Sequence, residues 1–172
     1  MDRRLGRSTG VKEFEDLYRA SRDDVYAYVA TLLRDRFVAE DVTALAFERA
    51  YRKRASFRPA RGSARAWLFG IARNAALDEL RRRSRSAALG ADPVDDTAPA
   101  PEDEAELGAR RIAVQAALDS LQPRERELVA LKFFAGLSTA ELAAVTGTSE
   151  TNAGTRVHRA LHKLREACHE TA

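Results

Sequence analysis

Apolar side chains recur early in the chain at Phe14, Leu17, Tyr18, Val25, Tyr28, Val29, Leu32 and Leu33, a spacing that predicts a helix over about 11–33. Ser21 falls in the widest gap of that stripe and is the expected point of interruption. After a turn at Asp35-Arg36, Val42, Leu45, Ala46, Phe47, Ala50 and Tyr51 predict a second helix over about 38–54. The stretch Phe57-Arg58-Pro59-Ala60-Arg61-Gly62-Ser63 keeps no helical register, because proline and glycine interrupt it, and reads as a loop. Ser63 is placed to cap a third helix over about 64–83, with Trp67, Leu68, Ile71, Ala72, Ala75 and Leu80 on or near its buried face. Residues 84–103 lose all periodicity, carry three prolines among Ala and Asp, and read as a flexible acidic linker.

Periodicity then returns. A helix is expected over about 104–121, and Pro123 opens the next one at a position where its missing N–H costs nothing. That helix carries Leu128, Val129, Leu131, Lys132, Phe133 and Phe134 and is expected to end at Gly136. Ser138 and Glu141, three residues apart, make a capping box for a short helix with Leu142, Ala143 and Val145 on its apolar face. Gly147 ends it in a left-handed turn, and Ser149 caps a last helix with Ala153, Val157, Ala160, Leu161 and Leu164 at helical spacing. The pattern is that of a helix-turn-helix, although a plain helical hairpin would share it. What favours DNA is the outward face of the second helix: Thr151, Asn152, Thr155, Arg156, His158 and Arg159 suit base edges and phosphates. Only Glu150 is acidic before Glu166, whereas a merely solvated helix carries Glu and Lys in pairs. The expected fold class is all-α, with two small helical domains over 11–83 and 104–169.

Bulk composition narrows the function. The 172 residues allow one domain or two small ones. A basic start without a following apolar core is no secretory signal, and no apolar run has the length of a membrane span. The single cysteine, Cys168, excludes an internal disulfide framework and fits a reducing cytoplasm. The net charge of +3 conceals a strong asymmetry. Residues 1–83 carry 19 Lys/Arg against 12 Asp/Glu, residues 84–106 carry 1 against 7, and residues 107–172 carry 9 against 7. Two basic blocks around an acidic spacer suit two nucleic-acid-facing modules on a tether.

Two segments, Ala-Trp-Leu-Phe-Gly-Ile-Ala-Arg-Asn (66–74) and Leu-Ser-Thr-Ala-Glu-Leu-Ala (137–143), in this order around that spacer, resemble the extracytoplasmic-function (group IV) bacterial sigma factors. The resemblance runs over about residues 12–168, with sigma region 2 in the first block and region 4 in the second. It implies that the second helix binds the β′ clamp helices of core RNA polymerase, where Asp41, Thr43 and Phe47 agree with the family pattern and Ala44 and Leu45 replace its polar and acidic pair. It implies also that Arg58, Arg61 and Asn74 line a pocket for an unpaired base of the promoter −10 element, with Arg65 and Arg73 facing phosphates. Trp67 has two readings there, base stacking or core packing, and its place between Ala64 and Leu68 favours core. Gly70 stands where relatives often carry arginine, and the loop from Phe57 to Trp67 is one residue longer than the commonest version. For the −35 element the resemblance assigns contacts to Thr155, Arg156, His158 and Arg159, beside Thr151 and Asn152; Gly154 replaces a basic residue. The implied partners are core polymerase (β′ clamp helices and β flap), promoter DNA and an anti-sigma factor, with no cofactor and a cytoplasmic location.

Rival classes are weaker. His158, His162 and His169 with Cys168 crowd the last helix, yet their spacing matches no compact zinc motif. Glu40-Asp41 and Asp95-Asp96 lack a partnered histidine or a glycine-rich phosphate loop, so an enzyme is not expected. The alternative left open by Ala44 and Leu45 is a helix-turn-helix regulator that binds DNA but never polymerase.

Overall fold

In the computed structural model, which describes residues 5–89 and 114–170, the chain divides into two compact units at residues 95 and 96. The described residues of the first unit form α1 (Leu5–Leu33), α2 (Arg36–Lys53) and α3 (Ala64–Ala88), with two short 3-10 turns, Arg54–Ser56 and Pro59–Arg61, before α3. Those of the second form α4 (helical over 114–120), α5 (Pro123–Phe133), α6 (Thr139–Thr146) and α7 (Glu150–Glu170). Among the described residues there is no strand, as an all-α pattern requires.

The first unit differs from its apolar pattern at four places. α1 begins at Leu5, ahead of the expected start near residue 11. α1 passes through Ser21 without a break. Ser21 is buried and its Oγ accepts a hydrogen bond from Arg65 of α3 at 3.2 Å, so the hydroxyl is satisfied across the bundle and does not compete with the helix backbone. α2 begins at Arg36, two residues early, because Asp35 caps it by accepting from Val38 N–H at 3.0 Å. α3 continues past Arg83 to Ala88, so residues 84–88, expected in the linker, are helical. No glycine or proline stands before Gly90 to end the helix there. The rest of the expected linker, and residues 104–113 of the expected fourth helix, lie outside the described residues.

Packing explains the close helix contacts. α2 buries Ala39, Val42, Ala46, Phe47 and Ala50, and α3 buries Ala66, Leu68, Phe69, Ala72, Ala75 and Ala76. Alanines at these positions let helix backbones approach, while Tyr28 of α1 fills the larger space edge-on to Phe69, with centroids 5.6 Å apart. The buried stripe of α3 runs through Phe69 and Ala76, so Trp67, Ile71 and Leu80 are only half-buried at its margin.

In the second unit Leu118, Leu121, Val129 and Ala160 form a core against which Leu161 and Leu164 pack. Pro123 takes the first helical position of α5, as expected. The sequence pattern gave no sign of Arg126, which is only 8% exposed. Its guanidinium donates to the carbonyls of Leu118 (2.9 Å), Asp119 (3.1 Å) and Leu121 (3.1 Å), the groups left open where α4 ends. Arg126→Met keeps the apolar stem but strands those carbonyls in the interior. It is expected to destabilise the second unit by about 2–4 kcal/mol in urea denaturation of the full chain, while Arg124→Met at the exposed neighbouring position changes stability by less than about 0.5 kcal/mol.

Candidate nucleic-acid interface

The turn between α6 and α7 is built from local hydrogen bonds. Glu141 N–H donates to Ser138 Oγ at 3.2 Å and Ser138 N–H donates to Glu141 Oε2 at 3.0 Å, so the expected capping box is complete. Gly147 closes α6 in the left-handed region (φ 68°), where a side chain would be strained, and Thr148 N–H then bonds Ala143 O at 3.0 Å. Ser149 Oγ accepts from Asn152 N–H at 3.3 Å, which starts α7. With Ala153, Val157 and Ala160 buried, the turn fixes which side of α7 faces outward.

Thr151, Asn152, Thr155, His158 and Arg159 are exposed on that helix, and Arg156 is half-buried. The Thr155 hydroxyl donates to Thr151 O at 2.9 Å, which leaves its oxygen to accept from a ligand. Arg156 and Arg159 flank a groove against the first turn of α5. A Cβ at Gly154 would lie 3.4 Å from Thr139 Cγ2, so α7 crosses the start of α6 closely at the position where a basic residue was expected. Among the described residues no three His, Cys, Asp or Glu side chains are grouped to hold an ion. His162 Nδ1 instead lies 3.3 Å from Glu166 Oε2, and the side chain of His169 is outside the described residues.

In the first unit the five expected −10 residues separate. Asn74 is exposed, and it shares one face of α3 with Trp67 and Gly70, three and four residues apart. Trp67 packs on Phe57 with centroids 5.5 Å apart and stays half-exposed, so it holds the preceding loop against α3 without being core. Nothing lies within 4 Å of a Cβ at Gly70, so the face is open between Trp67 and Asn74. Arg61 is exposed on that loop, whereas the Arg58 guanidinium folds back onto Ala55 O (3.0 Å) and Phe57 O (3.1 Å). Arg73 is half-buried on α3.

Arg65 needs a correction. It lies on the inward side of α3, pairs with Asp24 of α1 at 2.6 Å, donates to Ser21, and sits over the Phe69 ring at 5.3 Å. A phosphate contact there would have to break an ion pair that joins α1 to α3.

The expected polymerase stripe divides likewise. Asp41 is exposed on α2, in line with Ala44, Glu48 and Phe37, and Phe37 is an exposed aromatic that periodicity had passed over. Phe47, expected as a contact, is 6% exposed and edge-on to Tyr18 at 4.8 Å; its position turns it into the bundle, so it is core. Leu45 is 36% exposed, so it belongs to the surface. Thr43 has its Oγ1 buried with no hydrogen-bond partner, and it lines a groove of about 650 Å³ between α1 and α2 together with Tyr18, Arg22, Tyr26, Glu40 and Ala44.

Residues 17–86 match the family description Sigma-70 region 2, and residues 111–164 match Sigma-70 region 4. The ECF RNA polymerase sigma factor SigE of Mycolicibacterium smegmatis is 35% identical over 94% of this chain, which spans 63% of that protein's length. The RNA polymerase sigma factor CarQ of Myxococcus xanthus is 34% identical over 89% of this chain and 87% of its own. The chain belongs to the extracytoplasmic-function sigma factors. The sigma factor RpoE of Bartonella quintana, solved in complex with the anti-sigma factor NepR, has a similar fold (TM-score 0.74, 26% identity, 91% of this chain and 96% of that one). In this sigma factor no described helix is long and apolar enough to cross a membrane.

Two predictions follow from where these residues sit in the sigma factor. Phe47→Ala is expected to cost the first unit about 3–4 kcal/mol, read by thermal or urea denaturation, because it empties a packed site; a pure surface contact would leave stability unchanged. The second concerns Glu125, which accepts from Lys163 Nζ at 2.5 Å and from Gln122 N–H at 3.2 Å, linking α5 to α7. The Lys163 hydrogen bond holds this carboxyl below the usual 4.5 of a glutamate, despite partial burial that opposes the shift. A depressed folded value gives stability that is present above the unfolded value and lost as pH falls through the folded one. Acid titration of stability should therefore show a loss that starts near pH 4.5 and continues below it, and Glu125→Gln should remove that component while leaving the neutral-pH fold intact.

Proposed function

We propose that this chain directs core RNA polymerase to promoters, with region 4 docking α7 in the major groove of the −35 element and region 2 capturing an unpaired −10 base on α3. The observation that carries this reading is the pairing, in one chain, of an outward polar face on a capped helix-turn-helix with an open Trp67–Gly70–Asn74 face on α3. A duplex reader needs only the first; a protein that also opens DNA needs somewhere to hold a base once it has left the stack. Region 2 is taken as residues 11–83 together with the helical extension to Ala88, and region 4 as 104–169. The intervening acidic residues would run along basic walls of the polymerase, mimicking nucleic-acid charge.

Core polymerase is proposed to meet α2 on the stripe of Phe37, Asp41, Ala44 and Leu45, with Thr43 offering its hydroxyl at the floor of the adjoining groove. Phe47 supports that surface from beneath. The β flap is the proposed partner of region 4. An anti-sigma factor is the further partner proposed, by likeness to the RpoE–NepR complex. Work done by this protein is binding work in the cytoplasm: DNA opening draws on contacts with the strands, with no cofactor and no catalysis of its own.

Run-off transcription with core polymerase and a promoter library tests the proposal. Initiation from a defined subset of promoters is expected, and failure to initiate selectively at any ionic strength rejects it. Asn74→Ala is expected to reduce open complexes, read by permanganate reactivity of unpaired thymines, by about tenfold or more while duplex binding changes less than about twofold. Equal losses in both would reject the base-pocket role of Asn74.

A further inference from the structure

An open groove of about 260 Å³ lies between the first turn of α5 and the flank of α7, lined by Gln122, Arg124, Glu125, Leu128, Arg156 and Arg159. Three guanidinium groups thus converge on one concavity, and among the described residues none of them has a hydrogen bond or ion pair. Many other arginines are engaged within the fold, although Arg36, Arg61, Arg85 and Arg165 stand alone with no side-chain partner among the described residues. Arg65 and Arg83 reach carboxylates and carbonyls across the first unit, Arg126 binds three carbonyls, and Arg49 and Arg82 pair with Asp78 and Glu79. The one carboxylate in the groove, Glu125, is already engaged by Lys163 and by the Gln122 amide. Three guanidinium groups therefore face one acid that Lys163 already engages. Like charges gathered without a counterion favour an anion arriving from outside.

The position of the groove on α7 selects the anion. Successive residues of a helix turn by about 100°, so Arg156 points well away from Thr155, while Arg159, four residues after Thr155 and three after Arg156, stands between the two directions and also lines the groove. Arg156 is half-buried towards α5, while Thr151, Thr155 and His158 stand fully outward. When the outward residues meet base edges, the flank meets the strand that borders the groove.

We propose that this groove is a phosphate clamp. Arg124, Arg156 and Arg159 grip phosphodiester oxygens of the promoter duplex, and Thr151, Thr155 and His158 read the bases. The inference rests on the promoter-binding reading of α7, and it adds Arg124, which lies outside the helix-turn-helix, to the DNA surface. Guanidinium suits the task because its planar fork meets two phosphate oxygens at once. The clamp fixes the depth and register of α7 in the major groove without contributing sequence preference.

The test uses the full chain assembled with core polymerase and, as probe, the duplex that this holoenzyme recovers from a pool randomised across the upstream element. Arg124→Gln is expected to weaken binding about three- to tenfold at ~0.1 M salt, equally on the recovered duplex and on its single-base variants. It should also lower the slope of log affinity against log salt by about one, as expected for one lost phosphate contact. Arg156→Gln should behave alike, whereas His158→Ala should change discrimination at individual base pairs. Arg124→Lys keeps the charge and should retain the salt slope. The clamp is rejected if Arg124→Gln leaves affinity and slope unchanged, if Lys and Gln at 124 lower the slope equally, or if Arg156→Gln relaxes preference at one base pair with the slope intact. Failure of the unmodified holoenzyme to recover any upstream sequence is a separate outcome, and it rejects the promoter-binding reading itself.

Discussion

At one corner of the first unit, the Asp35 carboxylate serves two helices at once. One oxygen accepts from Val38 N–H and starts α2; the other pairs with Arg83 of α3 at 2.7 Å. Arg83 also donates to Leu33 O at the end of α1 (3.3 Å) and to Glu79 one turn back (3.0 Å). The chain reverses over two residues here, with Arg34 in the left-handed region (φ 55°) between α1 and α2. Asp35 is buried, so removing Arg83 would strand a charge in the interior, at a cost on the order of 3 kcal/mol. The three helices that carry the α2 and α3 surfaces are held at this point. Any orientation of Asn74 relative to Asp41 depends on it.

Arg126 plays the equivalent part in the second unit, where it gathers the open carbonyls at the end of α4 beneath the start of α5. A basic composition in this protein therefore has two uses that net charge cannot separate. Some arginines are consumed by carboxylates and carbonyls and hold helices together. Others have no side-chain partner among the described residues, and three of these, Arg124, Arg156 and Arg159, line the groove where α7 and α5 meet. On the proposed function the groove cluster would meet nucleic acid, because an external anion relieves its mutual repulsion.

Local devices were legible in the sequence, and long-range ones were not. The capping box at Ser138, the left-handed Gly147 and the Ser63 and Ser149 caps depend on residues within four positions, and each stands where its pattern put it. Arg65 looked like a phosphate contact because its partners, Asp24 and Ser21, lie more than forty residues away and cannot be paired by inspection. The same distance hid the reason α1 runs unbroken through Ser21. Phe47 was misplaced for another reason: a family motif records which residues recur, and a recurring aromatic can support a surface from below as well as form it. Leu45, three residues after Val42 and in helical register with it, reads equally as core or as an exposed contact until the burial of α2 places it at the surface.

The two glycine departures, Gly70 and Gly154, complete the picture of how each face acquires its specificity. Neither has a left-handed backbone, so conformation does not demand glycine at either place. At Gly70 a side chain would project into open space, and its absence leaves the face open between Trp67 and Asn74, where the proposed function would place an unpaired base. At Gly154 the backbone instead comes close to Thr139, so even a methyl group would reach contact distance with α6. Loss of a cation there removes one anchor from α7, and the groove on the opposite flank, with Arg124, Arg156 and Arg159, supplies three. On this account the electrostatic grip on DNA has moved from the side of α7 that crosses α6 to the side that faces α5.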